Sequence, residues 1–143
     1  MKVLYDTNVL VALFIEQHPK HLTYSDLHIH FTQQNARFFI ASHSLAEFYS
    51  VVTKKVSYLS FTSHQALEVI ENNFSIFSKI DITHQEYQSV IQFLAEQQLT
   101  GGVIYDALIT FASQKANADI LVTNNTKDFK NLKKLTSAQL VDA

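Results

Sequence analysis

KVLYDTNVLVALF, residues 2–14, joins a short apolar segment to a helical one through three residues suited to begin a helix. Lys2–Tyr5 is compact and β-capable. Asp6, Thr7 and Asn8 carry side-chain oxygens that accept backbone N–H bonds at a helix N-terminus. Leu10, Leu13 and Phe14 then recur at helical spacing, so a strand feeds directly into a helix. The pattern repeats along the chain. A helix follows Pro19, a residue tolerated in a first turn. Arg37–Ala41 (RFFIA) reads as a second buried strand. Ser42 or Ser44 is placed to cap the next helix, whose inward stripe is Leu45, Phe48, Val52 and Val56. Residues 60–74 predict another helix, capped by Thr62 or Ser63, with Ala66, Leu67, Val69 and Ile70 as apolar positions. After a strand over 75–80, Thr83 opens a helix carrying Tyr87, Val90, Ile91 and Leu94. Gly101 and Gly102 interrupt the chain before a strongly periodic helix, Val103–Lys115. Residues 119–123 (DILVT) form a further strand, 124–126 a polar turn, and Leu140 and Val141 a short terminal strand. Short apolar strands alternating with helices imply crossover connections and a parallel sheet covered on both faces. The predicted fold class is therefore α/β, a three-layer α/β/α domain with a central, mainly parallel sheet.

At 143 residues, 47% hydrophobic and 17% charged, the chain suits a single domain spanning 1–143 with a buried core. Two glycines and one proline exclude collagen-like repeats and flexible linkers, and leave too few glycines for a GxGxxG loop or a P-loop. The absence of cysteine excludes disulfide scaffolds, thiol catalysis and cysteine-built metal centres, and it suits the cytoplasm. Asp6 and Asn8 interrupt the apolar N-terminus, so neither a signal peptide nor a membrane span is expected. A net charge of −2 argues at first against a nucleic-acid module. If Asp6, Glu47 and Asp106 converge on a cation, however, the remaining charge is +1, and the bound ion itself attracts phosphate.

In an open parallel sheet, ligands bind beyond the carboxyl ends of the strands, near the point where strand order reverses. Asp6 stands at the end of the first strand, either as an N-cap or as a carboxylate held for binding. Glu47 lies about one turn into the helix after the second strand, beside the buried face of Leu45, Phe48 and Val52. It leans back over the rim, because helical side chains tilt toward the N-terminus. Asp106, in GGVIYDALITFA, flanks an apolar face of Val103, Ile104, Ala107, Leu108 and Phe111 in the same way. Thr123, Asn124, Asn125 and Asp128 follow the DILVT strand. Singly, each residue has a plain explanation, in a first-turn acid favoured by the helix dipole or a turn former. Together, four strand-to-helix junctions present a carboxylate or carboxamide at one sheet edge. Gathered carboxylates repel one another unless a cation compensates, and hard oxygens suit magnesium. Such a site can polarise a phosphoryl oxygen and support in-line attack on a phosphodiester.

With DTNVL, SLAEFYSVV, GGVIYDALITFA and LVTNNTKDF in this order over essentially its whole length, the chain resembles the PIN-domain ribonucleases, and among them the VapC-like toxins of bacterial toxin–antitoxin pairs. The resemblance implies a PIN-like domain and a magnesium-dependent endoribonuclease, with manganese as a possible substitute. It further implies a metal-activated water, 5′-phosphate and 3′-hydroxyl products, a cognate antitoxin and a homodimer. Asp6, Glu47 and Asp106 become the catalytic, metal-site acids, Asp6 and Asp106 binding the ion and Glu47 binding it through water or orienting the nucleophile. Thr7, Thr123 and Asn125 become their supports. Asn125, with Asp128 nearby, stands at a fourth position where many relatives carry Asp, which leaves a second metal in question.

Lys127, Lys130, Lys133 and Lys134 cluster after this junction, as a solvated face or, for Lys127 and Lys130 first, as contacts to an RNA backbone. His18, His21, His28 and His30 lie in a stretch without matching acids and are assigned to surface or capping roles. Phe38, Phe39, Phe48 and Phe111 fall on core positions, while Leu13 and Phe14 could instead line an exposed groove for a partner. Two other functions compete with the ribonuclease. One is a PIN-fold binding protein acting in a DNA-bound regulatory complex. The other is a phosphohydrolase with Asp6 as nucleophile, whose familiar form carries a second Asp where this chain has Asn8.

Overall fold

β1 (Lys2–Tyr5), β2 (Arg37–Ala41), β3 (Phe77–Ile80), β4 (Ile120–Val122) and β5 (Gln139–Val141) form one sheet in the order β3-β2-β1-β4-β5. Every neighbouring pair is parallel, in a computed structural model that describes residues 1–55 and 60–143. The chain builds outward from β1 to β3, then returns to place β4 and β5 on the other side of β1, so strand order reverses between β1 and β4. Asp6 N–H donates to Val122 O across that seam at 2.9 Å.

Alternation along the strands divides the core into two layers. Val3, Tyr5, Ile40, Phe77 and Val122 face α1 (Thr7–Phe14), α2 (His21–Gln33), α3 (Ser44–Thr53) and α4 (Ser63–Asn73). Leu4, Phe39, Ala41 and Leu121 face α5 (His84–Glu96), α6 (Val103–Lys115), α7 (Thr126–Phe129) and a 3₁₀ turn, Lys130–Leu135. Because β1 is covered on both sides, Val3, Leu4 and Tyr5 are all buried, which explains its uninterrupted apolar run. No described helix is long and apolar enough to cross a membrane.

Local chemistry accounts for most helix starts and for several departures from the sequence-based elements. Thr62 and Thr83 each form a capping box, with Gln65 and Glu86 respectively, so Thr62 rather than Ser63 opens α4. α3 begins differently. His43 occupies its N-cap without a side-chain bond, Ser44 is buried and accepts from Thr7 Oγ1 at 2.9 Å, and Ser42 donates to Asp81. Neither serine is therefore the cap. The third strand starts at Phe77 because Phe74–Ile76 tightens into a 3₁₀ turn. Ala66, Val90 and Leu94 carry the buried faces of α4 and α5, leaving Leu67 and Ile91 largely exposed and both stripes narrower than predicted. Val56 lies outside the described residues. Leu13 is buried and Phe14 packs its ring on Phe74 and Phe77, at centroid distances of 5.3 and 6.0 Å, so the proposed partner groove is filled.

One departure bears on the acids. α6 is reached from α5, not from a strand, through a turn that uses left-handed backbone at Gln98 (φ 56) and Gly101 (φ 74). Asp106 thus arrives at the rim from a helix-to-helix junction, and three junctions rather than four are strand-to-helix.

Candidate active site

Asp6 is both a cap and a site residue. Its Oδ1 accepts from Thr7 N–H at 2.7 Å, starting α1, while its Oδ2 accepts from Thr123 Oγ1 at 2.8 Å, reaching across the seam between β1 and β4. The residue is 5% exposed. Burial pushes its carboxyl up to about 6; the Thr123 and Thr7 hydrogen bonds pull it down, and repulsion from Asp106 and Glu47 raises it again. Asp106 is also pushed up to about 6, first by burial and then by the charges of Asp128 and Glu47. Asp6, Glu47 and Asp106 line one pocket of about 270 Å³, together with Thr7, Asn8 and His18. No lysine or arginine lines it among the described residues.

Glu47 projects from the first turn of α3, one turn after His43. His43 Nε2 stands 2.9 Å from Glu47 Oε1, close enough for an ion pair but off the line of a hydrogen bond. Both of these atoms, and separately His43 Nδ1, are buried without a hydrogen-bond partner among the described residues. The i, i+4 spacing of the pair is visible in the sequence, and His43 is the residue a helical-wheel reading should have found. His43→Ala is expected to leave the fold intact and to reduce metal affinity or activity roughly 10- to 100-fold, as when the partner of a ligating group is lost. Comparing His43→Ala with His43→Gln in metal titrations checks this, and an unchanged titration would detach His43 from the site.

Thr123 is buried and holds two partners, donating to Asp6 and accepting from Asn125 N–H at 3.1 Å. Asn125 and Asp128 are exposed, and the Asn125 side chain donates to the Asp128 carboxylate. Asp128, not Asn125, shares a second pocket with Asp106 and Lys127. Asn125 therefore stands one step behind the acids, positioning Asp128. Asn8 Oδ1 accepts from Asn124 N–H at 3.4 Å, so no acid stands two positions after Asp6 to support an aspartyl-phosphate reaction.

The histidines divide. His21 Nδ1 donates to Ala12 O at 2.9 Å and His30 pairs with Gln34 on the surface, as capping and surface roles require, whereas His28 is half-buried, hydrogen-bonded to the Tyr5 hydroxyl and packed on the Phe38 ring at a centroid distance of 4.5 Å, which corrects its surface assignment. His18 differs, lining the acidic pocket. Its Nδ1 accepts from Lys20 N–H at 3.0 Å, and burial, then Lys20 and His21, hold it below the ordinary imidazole range. Nothing local in the sequence signals this, because the turn over 15–20 brings it there.

Among the described residues, no three acidic or histidine side chains close tightly enough to clasp an ion directly. The donor chemistry nevertheless fits a hard cation. Three carboxylates share a pocket, two of them are raised by burial and by neighbouring carboxylates, and the buried Glu47 Oε1 has His43 Nε2 at 2.9 Å but no aligned hydrogen bond among the described residues. A hard cation that keeps several of its waters suits carboxylates that line one pocket without clasping an ion directly.

The PIN-domain family model matches residues 3–135, a span that includes all of these acids. The chain belongs to the PIN-domain family. This PIN domain is 26% identical over 115 residues to Ribonuclease VapC27 of Mycobacterium tuberculosis, covering 80% of this chain and 79% of that protein. It is 27% identical over 121 residues to Ribonuclease VapC40 of the same species, covering 81% of each. Among solved structures, VapBC2 from Rickettsia felis, bound to a DNA fragment from its promoter, superposes with a TM-score of 0.70 at 25% identity. That match covers 100% of this chain and 99% of the other. The five-stranded parallel sheet and its flanking helices are the PIN fold, and β5 lies just beyond the matched family segment.

Proposed function

We propose that this PIN domain is a magnesium-dependent endoribonuclease and the toxin of a toxin–antitoxin pair. The observation that carries the proposal is the meeting of Asp6, Glu47 and Asp106, from three separate elements, in one pocket at the strand-order reversal. Relatives named as ribonucleases support it. Asp6 and Asp106 would hold the cation, and Glu47 would reach it through water or orient the nucleophile. Magnesium, or manganese in its place, supplies charge against the phosphoryl oxygens and makes a water more acidic. Thr7 N–H and Thr123 Oγ1 fix both oxygens of Asp6, so the carboxylate does not rotate away when a phosphodiester enters. The products carry 5′-phosphate and 3′-hydroxyl ends. The partner is an antitoxin, a reading supported by the likeness to VapBC2, and the chain works in the cytoplasm as a homodimer.

The direct test is RNA cleavage by the purified chain. Cleavage should require a divalent cation, stop with a chelator, and disappear in Asp106→Asn. RNA left intact by the wild type in magnesium, together with retention of a partner on promoter DNA, would favour a PIN-fold binding protein instead.

Asn125→Asp gives a finer test. The substitution places a carboxylate where an amide now donates to Asp128, so two like charges replace a hydrogen bond. A cation relieves that repulsion. Calorimetry should show tighter magnesium binding, and half-maximal cleavage should move to lower magnesium. Identical curves for both proteins would remove Asn125 from the site while leaving Asp6, Glu47 and Asp106 in it.

A further inference from the structure

Three pockets follow one another through shared lining residues. The acidic pocket shares Asp106 with a second of about 400 Å³, lined also by Lys127, Asp128 and Asn131. The second shares Asn131 with a third of about 350 Å³, lined also by Lys130, Lys133 and Lys134. They make one trough that is acidic at one end and basic at the other.

The basic end is built, not incidental. Residues 127–134 carry four lysines and one acid in a chain of net charge −2, and that acid, Asp128, is engaged by Asn125. Among the described residues, none of these four ammonium groups has an ion-pair or hydrogen-bond partner. Lys115, by contrast, pairs with Glu86 at 2.8 Å, and Lys2 and Lys79 donate to backbone carbonyls. Phe129 and Leu132, both buried, anchor α7 and the following 3₁₀ turn in the core. Residues three apart eclipse in a 3₁₀ turn, so Lys130 and Lys133 stand one above the other on the outer side. A base anchored in the core thus carries lysines that have no partner among the described residues.

We propose that this trough is the track of the RNA backbone: the scissile phosphate sits at the acids and the neighbouring phosphates lie along Lys127, Lys130, Lys133 and Lys134. The proposal rests on the ribonuclease reading and deepens it by naming where the rest of the strand binds. A strand whose next phosphates need compensating charge matches a trough that is acidic only where a cation would sit. Among the described residues no aromatic side chain lines the basic end, so the contacts are to phosphate and carry no sequence information.

The test is equilibrium binding of fluorescent oligouridine and oligocytidine to the full chain, with a chelator present so that nothing is cleaved. Lys130→Gln, Lys133→Gln and Lys134→Gln are combined, because glutamine retains much of the stem that packs on the surface. Each lost phosphate contact should flatten the plot of log K against log salt by about 0.7 for a single strand, so the triple variant should flatten it by about 2. Its affinity at low salt should fall on the order of 10- to 100-fold, equally for both sequences, at an unchanged melting temperature. An unchanged slope and affinity would overturn the track. Lysine-dependent binding of oligoglutamate with no lysine-dependent binding of oligouridine would also overturn it, assigning the face to an acidic protein segment. The ribonuclease reading is scored separately, by wild-type cleavage of long RNA in magnesium, so each can fail without the other.

Discussion

Asp6→Asn should abolish RNA cleavage in magnesium while leaving the cation-free protein more stable than wild type at pH 7. In the folded chain the Asp6 carboxyl titrates at about 6, above the ordinary value of 3.8, chiefly because it is buried. A raised value means that the protonated form is favoured by folding. Its stabilising contribution is complete below pH 3.8 and is lost as pH rises through about 6. Above that window the ionised, cation-free wild type bears a cost of about 3 kcal/mol. Asparagine never bears it. The amide can still accept from Thr7 N–H, but its NH₂ must donate to Thr123 Oγ1, an oxygen that already accepts from Asn125 N–H. That exchange costs about 1 kcal/mol. The variant should therefore melt a few degrees higher than wild type at pH 7 and no higher at pH 3.5. Adding magnesium should reverse the order at pH 7, since a cation stabilises only the protein that binds it. Thermal melts at both pH values, with and without magnesium, check every part. Comparable cleavage by the two proteins would remove Asp6 from the chemistry, and a lower melting temperature at pH 7 would make capping its main role.

The second large effect is in the cell. Expressing the wild-type chain without its partner should arrest growth, and Asp106→Asn should be tolerated at equal protein level. An active ribonuclease damages a shared pool of RNA, whereas an inactive one only occupies it. Asp106 is suited to this comparison because asparagine keeps its shape while relieving the repulsion from Asp128 and Glu47. Loss of toxicity then reflects lost chemistry and not unfolding, which immunoblots of the two strains confirm. Coexpression with the proposed antitoxin should restore growth and bring the antitoxin down with the chain. Harmless expression of the wild type in a host lacking any antitoxin would shift the assignment to the binding-protein reading.

Much of this site is legible in the sequence because the relevant geometry is local. A strand that ends in DTN places Asp6 at the rim by chain continuity, and Glu47 one turn into α3 leans to the same rim by the tilt of helical side chains. The His43–Glu47 spacing was equally local and equally readable. Asp106 reaches the rim for a different reason from the one its sequence suggests, since a helix precedes α6 and no strand does. Apolar periodicity marks which face of a segment is buried, but it does not say what comes before that segment in space.

Sequence alone is therefore sufficient for the α/β class, the five strands, the six longer helices and the candidate acids, because propensity, capping and periodicity act over a few residues, whereas α7 and the 3₁₀ turn after it fall where the sequence shows only a polar turn. Long-range pairing settles the rest. Thr123 stands 117 residues from Asp6, and its hydrogen bond exists only because β4 lies against β1. His18 enters the acidic pocket and Asp128 comes to face Asp106 by the same kind of packing. Burial of Asp6 and its raised carboxyl follow from the whole sheet and both of its covers. An apolar strand carries no mark of its neighbour, since any partner of matching length satisfies its backbone and its faces. Strand order, and with it the identity of the groups that meet at the seam, is a property of the packed core.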